Sequence, residues 1–160
     1  MCNIVKPVID YSVRGLCRKP YTGHVRGCPN WHNLKRKQCP PHGPKIEEII
    51  DINKEVFCIY NIFPIGEHII KMREKHPFWS ERQLACCLYW QPKARKQLRE
   101  KIKDFLRSRE DRQELKIVDC PEGCGVNVTE TMKQLGIELE WPPKVYAYQV
   151  VLMGYKKGEN

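Results

Sequence analysis

Apolar and polar residues are patterned differently before and after residue 45, and most of the regular structure is predicted after it. Two runs, Glu55–Phe63 and Val145–Met153, are rich in β-branched and aromatic side chains, which is typical of buried strands. The shorter run Leu115–Asp119 predicts a third strand. Together these runs predict a small central sheet.

Apolar residues at helical spacing predict helices between these strands. Ser80 is suited to cap a helix, Pro92 to lie in a first turn, and Gly136 to end one. We therefore expect an α/β fold with a single domain over residues 1–160, in which residues 46–155 form a sandwich around the sheet. The predicted helices are a short one after Pro44, then Pro64–His76, Ser80–Tyr89, Pro92 to about Arg109, and Val128–Leu135.

Residues 1–45 do not follow either periodicity. Glycine and proline interrupt this segment too often for long regular elements, so an irregular loop segment is predicted. Ordering a loop of this length costs conformational entropy, so the loop needs a stabilising interaction. Metal ligation supplies one, because the free energy of metal binding contributes to the free energy of folding. We expect a metal-organised N-terminal segment.

The candidate ligands are cysteines. The chain has nine, and Cys17, Cys28 and Cys39 recur with ten residues between neighbours. A second group, Cys120-x3-Cys124, follows the predicted third strand. Grouped thiols typically hold zinc or an iron–sulfur cluster, because thiolate is a strong soft ligand. The odd number of cysteines and the absence of a secretory signal make disulfides the less favoured interpretation.

An iron–sulfur cluster, with 4Fe-4S favoured, is preferred to zinc. Only the late pair has the close spacing of a zinc knuckle, whereas proline directly follows Cys28, Cys39 and Cys120, a step that recurs in iron–sulfur proteins. Five cysteines exceed the four corners of a cubane. Either one is not a ligand, or three ligate and leave one iron open to a substrate, or a histidine changes the number of ligands.

Positive charge is concentrated in the same segment. The chain carries +9, and residues 1–45 hold nine Lys and Arg against one Asp, which gives +8 for this segment alone. Three interpretations stay open: the cations stabilise a negative cluster, they bind a small anionic substrate, or, less favoured, they bind nucleic acid. The predicted anion patch consists of His24, Arg26, Lys35, Arg36 and Lys37.

Other function classes lack their signatures. There is no phosphate-binding loop, no dinucleotide fingerprint and no His-Glu-x-x-His, so the sequence leaves open whether the protein is an enzyme. No apolar stretch is long enough for a membrane span, and we expect a cytoplasmic protein. The buried-strand residue Cys58 is predicted to be a small core residue rather than a ligand.

Two stretches resemble a known group of proteins. They are Gly23–Trp31 followed by Cys39–Pro44, and Cys120–Cys124 followed by Thr129–Ile137 and the closing strand. This pattern resembles uncharacterised prokaryotic families of predicted metal-binding proteins, with a Cys-Pro-Asn turn, a basic spacer and Cys-Pro-Pro. The resemblance implies cysteine ligation of a metal or an iron–sulfur cluster. The favoured function is a cysteine-ligated metalloprotein that binds an iron–sulfur cluster. An enzyme version of this hypothesis has an open iron that acts on a small or nucleotide-like substrate in sulfur or redox chemistry. A zinc-stapled nucleic-acid-binding module and a non-catalytic accessory protein are the alternatives.

Overall fold

Four strands pair into one antiparallel sheet in a computed structural model of the chain, which describes residues 2–21 and 24–158. They lie in the order β1-β2-β4-β3, and β2 pairs with β4 along its whole length, with Phe57 opposite Met153. The mixed α/β fold with a small sheet is confirmed. The strands are β1 (Cys2–Val5), β2 (Val56–Phe63), β3 (Leu115–Val118) and β4 (Ala147–Tyr155).

Helices cover both faces of this sheet. On one face, Phe57, Ile59 and Met153 pack against Leu98 and Ile102 of the long helix α4. The opposite face packs against α1 and α5, because successive residues of a strand point to opposite sides. The helices are α1 (Ile46–Ile49), α2 (Ile65–Lys75), α3 (Glu81–Leu84), α4 (Cys87–Arg107) and α5 (Val128–Lys133), and 3₁₀ helices span Tyr11–Arg18, Arg112–Glu114 and Glu122–Cys124.

The predicted helices at 80–89 and 92–109 are wrong in their bounds. Ser80 caps α3 as expected, but α3 ends after one turn, with Ala85 as its C-cap. Cys86, with ψ 124°, then leaves the helical conformation before α4. The indole N–H of Trp90 donates to the Ala85 carbonyl at 3.3 Å, where α3 ends. Helix α4 begins directly afterwards and contains Pro92. Pro92 cannot donate to the Leu88 carbonyl, and Leu88 is exposed, so water can bond to that carbonyl instead.

The N-terminal segment is less irregular than predicted, since it contains β1 and the 3₁₀ helix Tyr11–Arg18. It nevertheless has almost no apolar core. Among the described residues of 14–45, Pro40 is the one apolar side chain that is buried, and Leu16, Val25 and Leu34 are 51%, 77% and 76% exposed. Its position therefore depends chiefly on polar contacts.

The core residue Cys58 is fully buried in β2, and its thiol donates to the Met132 sulfur at 3.6 Å. Its predicted place in the core is confirmed. No helix in the described residues is long and apolar enough to cross a membrane.

Candidate metal centre

Five cysteines from two distant parts of the chain lie in one region next to the end of β3, and we call them the cysteine cluster. Three come from residues 11–45, and two come from the loop that follows β3. All five thiols are free of disulfides. The members are the predicted ligands Cys17, Cys28, Cys39, Cys120 and Cys124.

The first two members are held together by their backbones. Cys17 lies in the last turn of the 3₁₀ helix, which Asp10 caps by accepting from the Ser12 N–H at 3.0 Å. The Cys28 N–H donates to the Cys17 carbonyl at 2.7 Å. Gly27 makes this approach possible because its φ is +84° and an added Cβ would lie 2.5 Å from the Cys17 carbonyl oxygen.

Gln38 fixes the third member against the sheet. Its side-chain amide donates to the Ile117 carbonyl at 3.0 Å, and its side-chain oxygen accepts from the Asp119 N–H at 2.8 Å. The amide thus continues the hydrogen-bonding pattern at the edge of β3. The backbone oxygen of Gln38 also lies 3.8 Å from the Cys124 sulfur. Residues 38 and 39 are therefore seated beside Cys120 and Cys124.

Further hydrogen bonds attach the N-terminal segment to the second loop. The Asp10 N–H donates to the Gly125 carbonyl, and the Asn127 N–H donates to the Val8 carbonyl, both at 2.8 Å. Arg14 donates to the Gly43 carbonyl at 2.6 Å and so ties the 3₁₀ helix to the turn after Cys39. These contacts make the segment a defined layer over the loop at 120–127.

The electrostatics of the thiols show that they are neighbours. Burial, then the negative charges of Cys28 and Cys39, raise the pKa of Cys17. Burial, then Glu122 and Cys39, raise the pKa of Cys120. Burial, then Asp119, raise the pKa of Cys124 to about 12, and the Arg14 cation opposes this shift. Cys39 contributes to all three shifts, so it lies within the electrostatic reach of both loops.

Glu122 is a member of the site that sequence reasoning missed. Burial raises the pKa of its carboxyl group, and its charge in turn raises the pKa values of Cys17, Cys120 and Cys124. Its position between two cysteines was the sequence feature that could have identified it. Gln38 was also missed, and being next to Cys39 was its only signal.

The five thiols lie in one region but are not arranged around a common point. Among residues 2–21 and 24–158, no three Cys, His, Asp or Glu side chains are arranged closely enough to hold a metal ion. The donor set nevertheless suits a soft metal or an iron–sulfur cluster, because it offers five thiols and one carboxyl group. Ligation would require the side chains of Cys17, Cys28 and Cys39 to move from the positions that they have here.

The predicted anion patch lies on the outside of this layer. Arg26, Lys35, Arg36 and Lys37 are exposed and form no ion pair with the described part of the chain, while His24 packs against Tyr21 with ring centroids 4.7 Å apart. A row of rings borders the patch. Trp31 contacts His32, and His32 contacts His42, each with centroids 5.6 Å apart.

No protein-family model matches the chain, and no match exists among curated proteins or solved structures. The resemblance described above, part of which falls on Gly23 outside the described residues, stays a prediction. The functional conclusion rests on the arrangement of this chain's own side chains.

Proposed function

We propose that this is a metalloprotein whose cysteine cluster binds an iron–sulfur cluster, with zinc as the alternative metal. One observation carries the proposal. The hydrogen bonds of Gln38 hold Cys39 beside Cys120 and Cys124, although about 80 residues of sequence separate Cys39 from these two cysteines. Thiols that are remote in sequence and are brought together as free groups are typical of metal ligation.

The positive charge of the N-terminal segment, +8, supports a negatively charged centre. Burial and nearby carboxylates raise the pKa values of Cys17, Cys120 and Cys124, and the Arg14 cation only opposes this shift at Cys124. The thiols would therefore lose their protons when a metal binds. An iron–sulfur cluster supplies redox chemistry or, if one iron lacks a cysteine ligand, a Lewis acid. The exposed cations at Arg26 and residues 35–37 would then hold a small anionic substrate at the same layer.

Metal content measures the proposal directly. Protein purified without air is expected to be brown and to contain iron and acid-labile sulfide, whereas a zinc protein would be colourless. Cys28→Ala and Cys39→Ala are each expected to lose most of the bound metal because each removes a ligand. Cys58→Ala is the matched control, since it removes a thiol from the core on β2. Full occupancy in both of the first two variants would exclude the assignment.

A second candidate function is favoured by the ring row. Arg18 lies 5.8 Å from the Trp31 ring centroid, and Trp31, His32 and His42 form adjacent rings beside the exposed cations. Aromatic rings within a basic surface can stack on unpaired bases while the cations neutralise phosphates. Under this alternative the metal only folds the segment, and the patch binds nucleic acid.

Salt dependence separates the two functions. If the patch binds a nucleic acid, changing Lys35, Arg36 and Lys37 together to Ala is expected to reduce the slope of log affinity against log salt by up to about three. Changing Lys71, Arg73 and Lys75 on α2 removes the same charge from another surface and should leave the slope unchanged. Binding by the unaltered protein that is absent or insensitive to salt would exclude this alternative.

A further inference from the structure

A second candidate site is a cavity of about 560 Å³ formed where β4 and α4 begin. It borders the cysteine cluster at Tyr21, whose pKa is raised by burial and then by Cys28, Cys87 and Cys17. Cavities of 300–1,000 Å³ commonly hold small molecules. Aromatic side chains dominate its walls. They are Tyr21, Trp90, Trp141, Tyr146 and Tyr148.

Contacts outside the cavity hold several of these rings in place. Trp90 stacks on Phe63 with centroids 5.3 Å apart, and its indole N–H is bonded to Ala85. The Trp141 indole N–H donates to the Thr129 hydroxyl at 3.1 Å. Because these indole N–H groups already have partners, the two tryptophans offer a ligand chiefly their apolar rings.

The charge of the cavity is negative. Glu140 is the one charged side chain among the described residues that line it. Its Oε2 atom accepts from the backbone N–H of Lys144 at 2.8 Å and of Val145 at 3.3 Å, which places the carboxylate at the rim. These N–H groups also lower its pKa, so the group is ionised at neutral pH. Arg95 lies near enough to Tyr21 to affect its pKa but does not line the cavity.

The aromatic rings and the carboxylate of Glu140 together favour a ligand with positive charge. The face of an aromatic ring is its negative side and attracts a cation, most strongly where water is excluded, and a carboxylate adds to this attraction. A phosphate or carboxylate ligand would be repelled by the same groups. The anionic substrate considered for the cysteine cluster therefore does not suit this cavity.

We propose that this cavity is a binding site for an organic cation that carries an alkylated ammonium group. The apolar walls accommodate the alkyl groups, the ring faces and Glu140 balance the charge, and no metal takes part. The site is thus independent of the function proposed for the cysteines. A chain of net charge +9 has no general attraction for cations, so selective binding would come from the cavity itself.

Choline and its uncharged analogue 3,3-dimethylbutan-1-ol have nearly the same shape and test the proposal on the full chain. Titration calorimetry, with tryptophan fluorescence as a second signal, is expected to show choline binding at least about tenfold more tightly than the alcohol. Equal affinity would show an apolar cavity without charge selectivity and would overturn the proposal. Absence of binding by both would overturn it as well.

Two variants assign the selectivity to named groups. Glu140→Gln preserves the shape and the acceptor for Lys144 and Val145, and should weaken choline about fivefold or more without affecting the alcohol. Trp141→Ala should weaken both ligands. Glu138→Gln removes the same charge from an exposed position outside the lining and is expected to change neither affinity. Unchanged choline affinity in Glu140→Gln, with the fold intact by circular dichroism, would contradict the assignment.

Discussion

Trypsin is expected to cut the metal-free protein after Lys35, Arg36 or Lys37 roughly a hundredfold faster than the metal-loaded protein. These residues are exposed in a segment where, among the described residues of 14–45, Pro40 is the one apolar side chain that is buried. The hydrogen bonds of Gln38 and Arg14 hold this layer, and each contributes only about 1 kcal/mol net. Ligation by several thiols would contribute far more, so losing it should open the segment.

Sites in α4 provide the internal control for this experiment. Lys96 and Arg99 are also exposed, but α4 packs on the sheet through Leu98, so cleavage there requires the core to open. Mass spectrometry of the fragments over time would locate each cut, and metal analysis would verify that chelation was complete. Equal cleavage of residues 35–37 in both samples would show that the segment is organised without metal.

Gly27→Ala is expected to destabilise the N-terminal segment strongly. The positive φ costs an L-residue about 1–2 kcal/mol, and overlap with backbone atoms adds about 1–3 kcal/mol. The atoms in the way belong to the backbone of Cys17 and Arg18, so no side-chain rotation relieves the overlap. Urea denaturation followed by the fluorescence of Trp31 and the other tryptophans, together with metal content, should show a lower midpoint and a lower occupancy.

Gly15→Ala is the matched control. Gly15 lies in the 3₁₀ helix one turn before Arg18, and an added Cβ would meet no atom within 4 Å. A neutral or slightly stabilising effect is expected, because alanine is better suited to a helical backbone than glycine. If the two variants unfolded at the same urea concentration, the close approach at Gly27 would have no energetic importance.

The central part of the fold could be predicted from local pattern. The predicted strand Glu55–Phe63 differs from β2 by one residue, and the predicted helix Pro64–His76 differs from α2 by one residue at each end. Strand β2 is buried along most of its length, which requires a continuous apolar run, whereas α2 places Ile65, Ile69 and Met72 on one side at helical spacing. The paired β4 was also predicted, although it begins and ends two residues later than expected.

Features that depend on distant partners were not predicted. Strand β1 is four residues long and exists because it pairs with β2, more than 50 residues away. Gln38 matters because of the backbone atoms of Ile117 and Asp119, and no residue pattern near position 38 indicates them. The cavity aromatics are spread from Tyr21 to Tyr148, so only the folded chain brings them together. The cysteines were identifiable because their chemistry is unusual whatever their neighbours.

The position of β4 has a consequence for how the protein is made. Strand β3 pairs with β4 in the sheet, so its edge is not fixed until residues 147–155 have left the ribosome. Gln38 has no edge to bind before then. At about 5–20 residues per second, the interval between synthesis of Cys39 and Tyr155 is roughly 6–25 seconds. During that time Cys17, Cys28 and Cys39 are unprotected thiols on a nascent chain. Under the proposed function, a metal or cluster would therefore be loaded after translation, in competition with oxidation of these thiols.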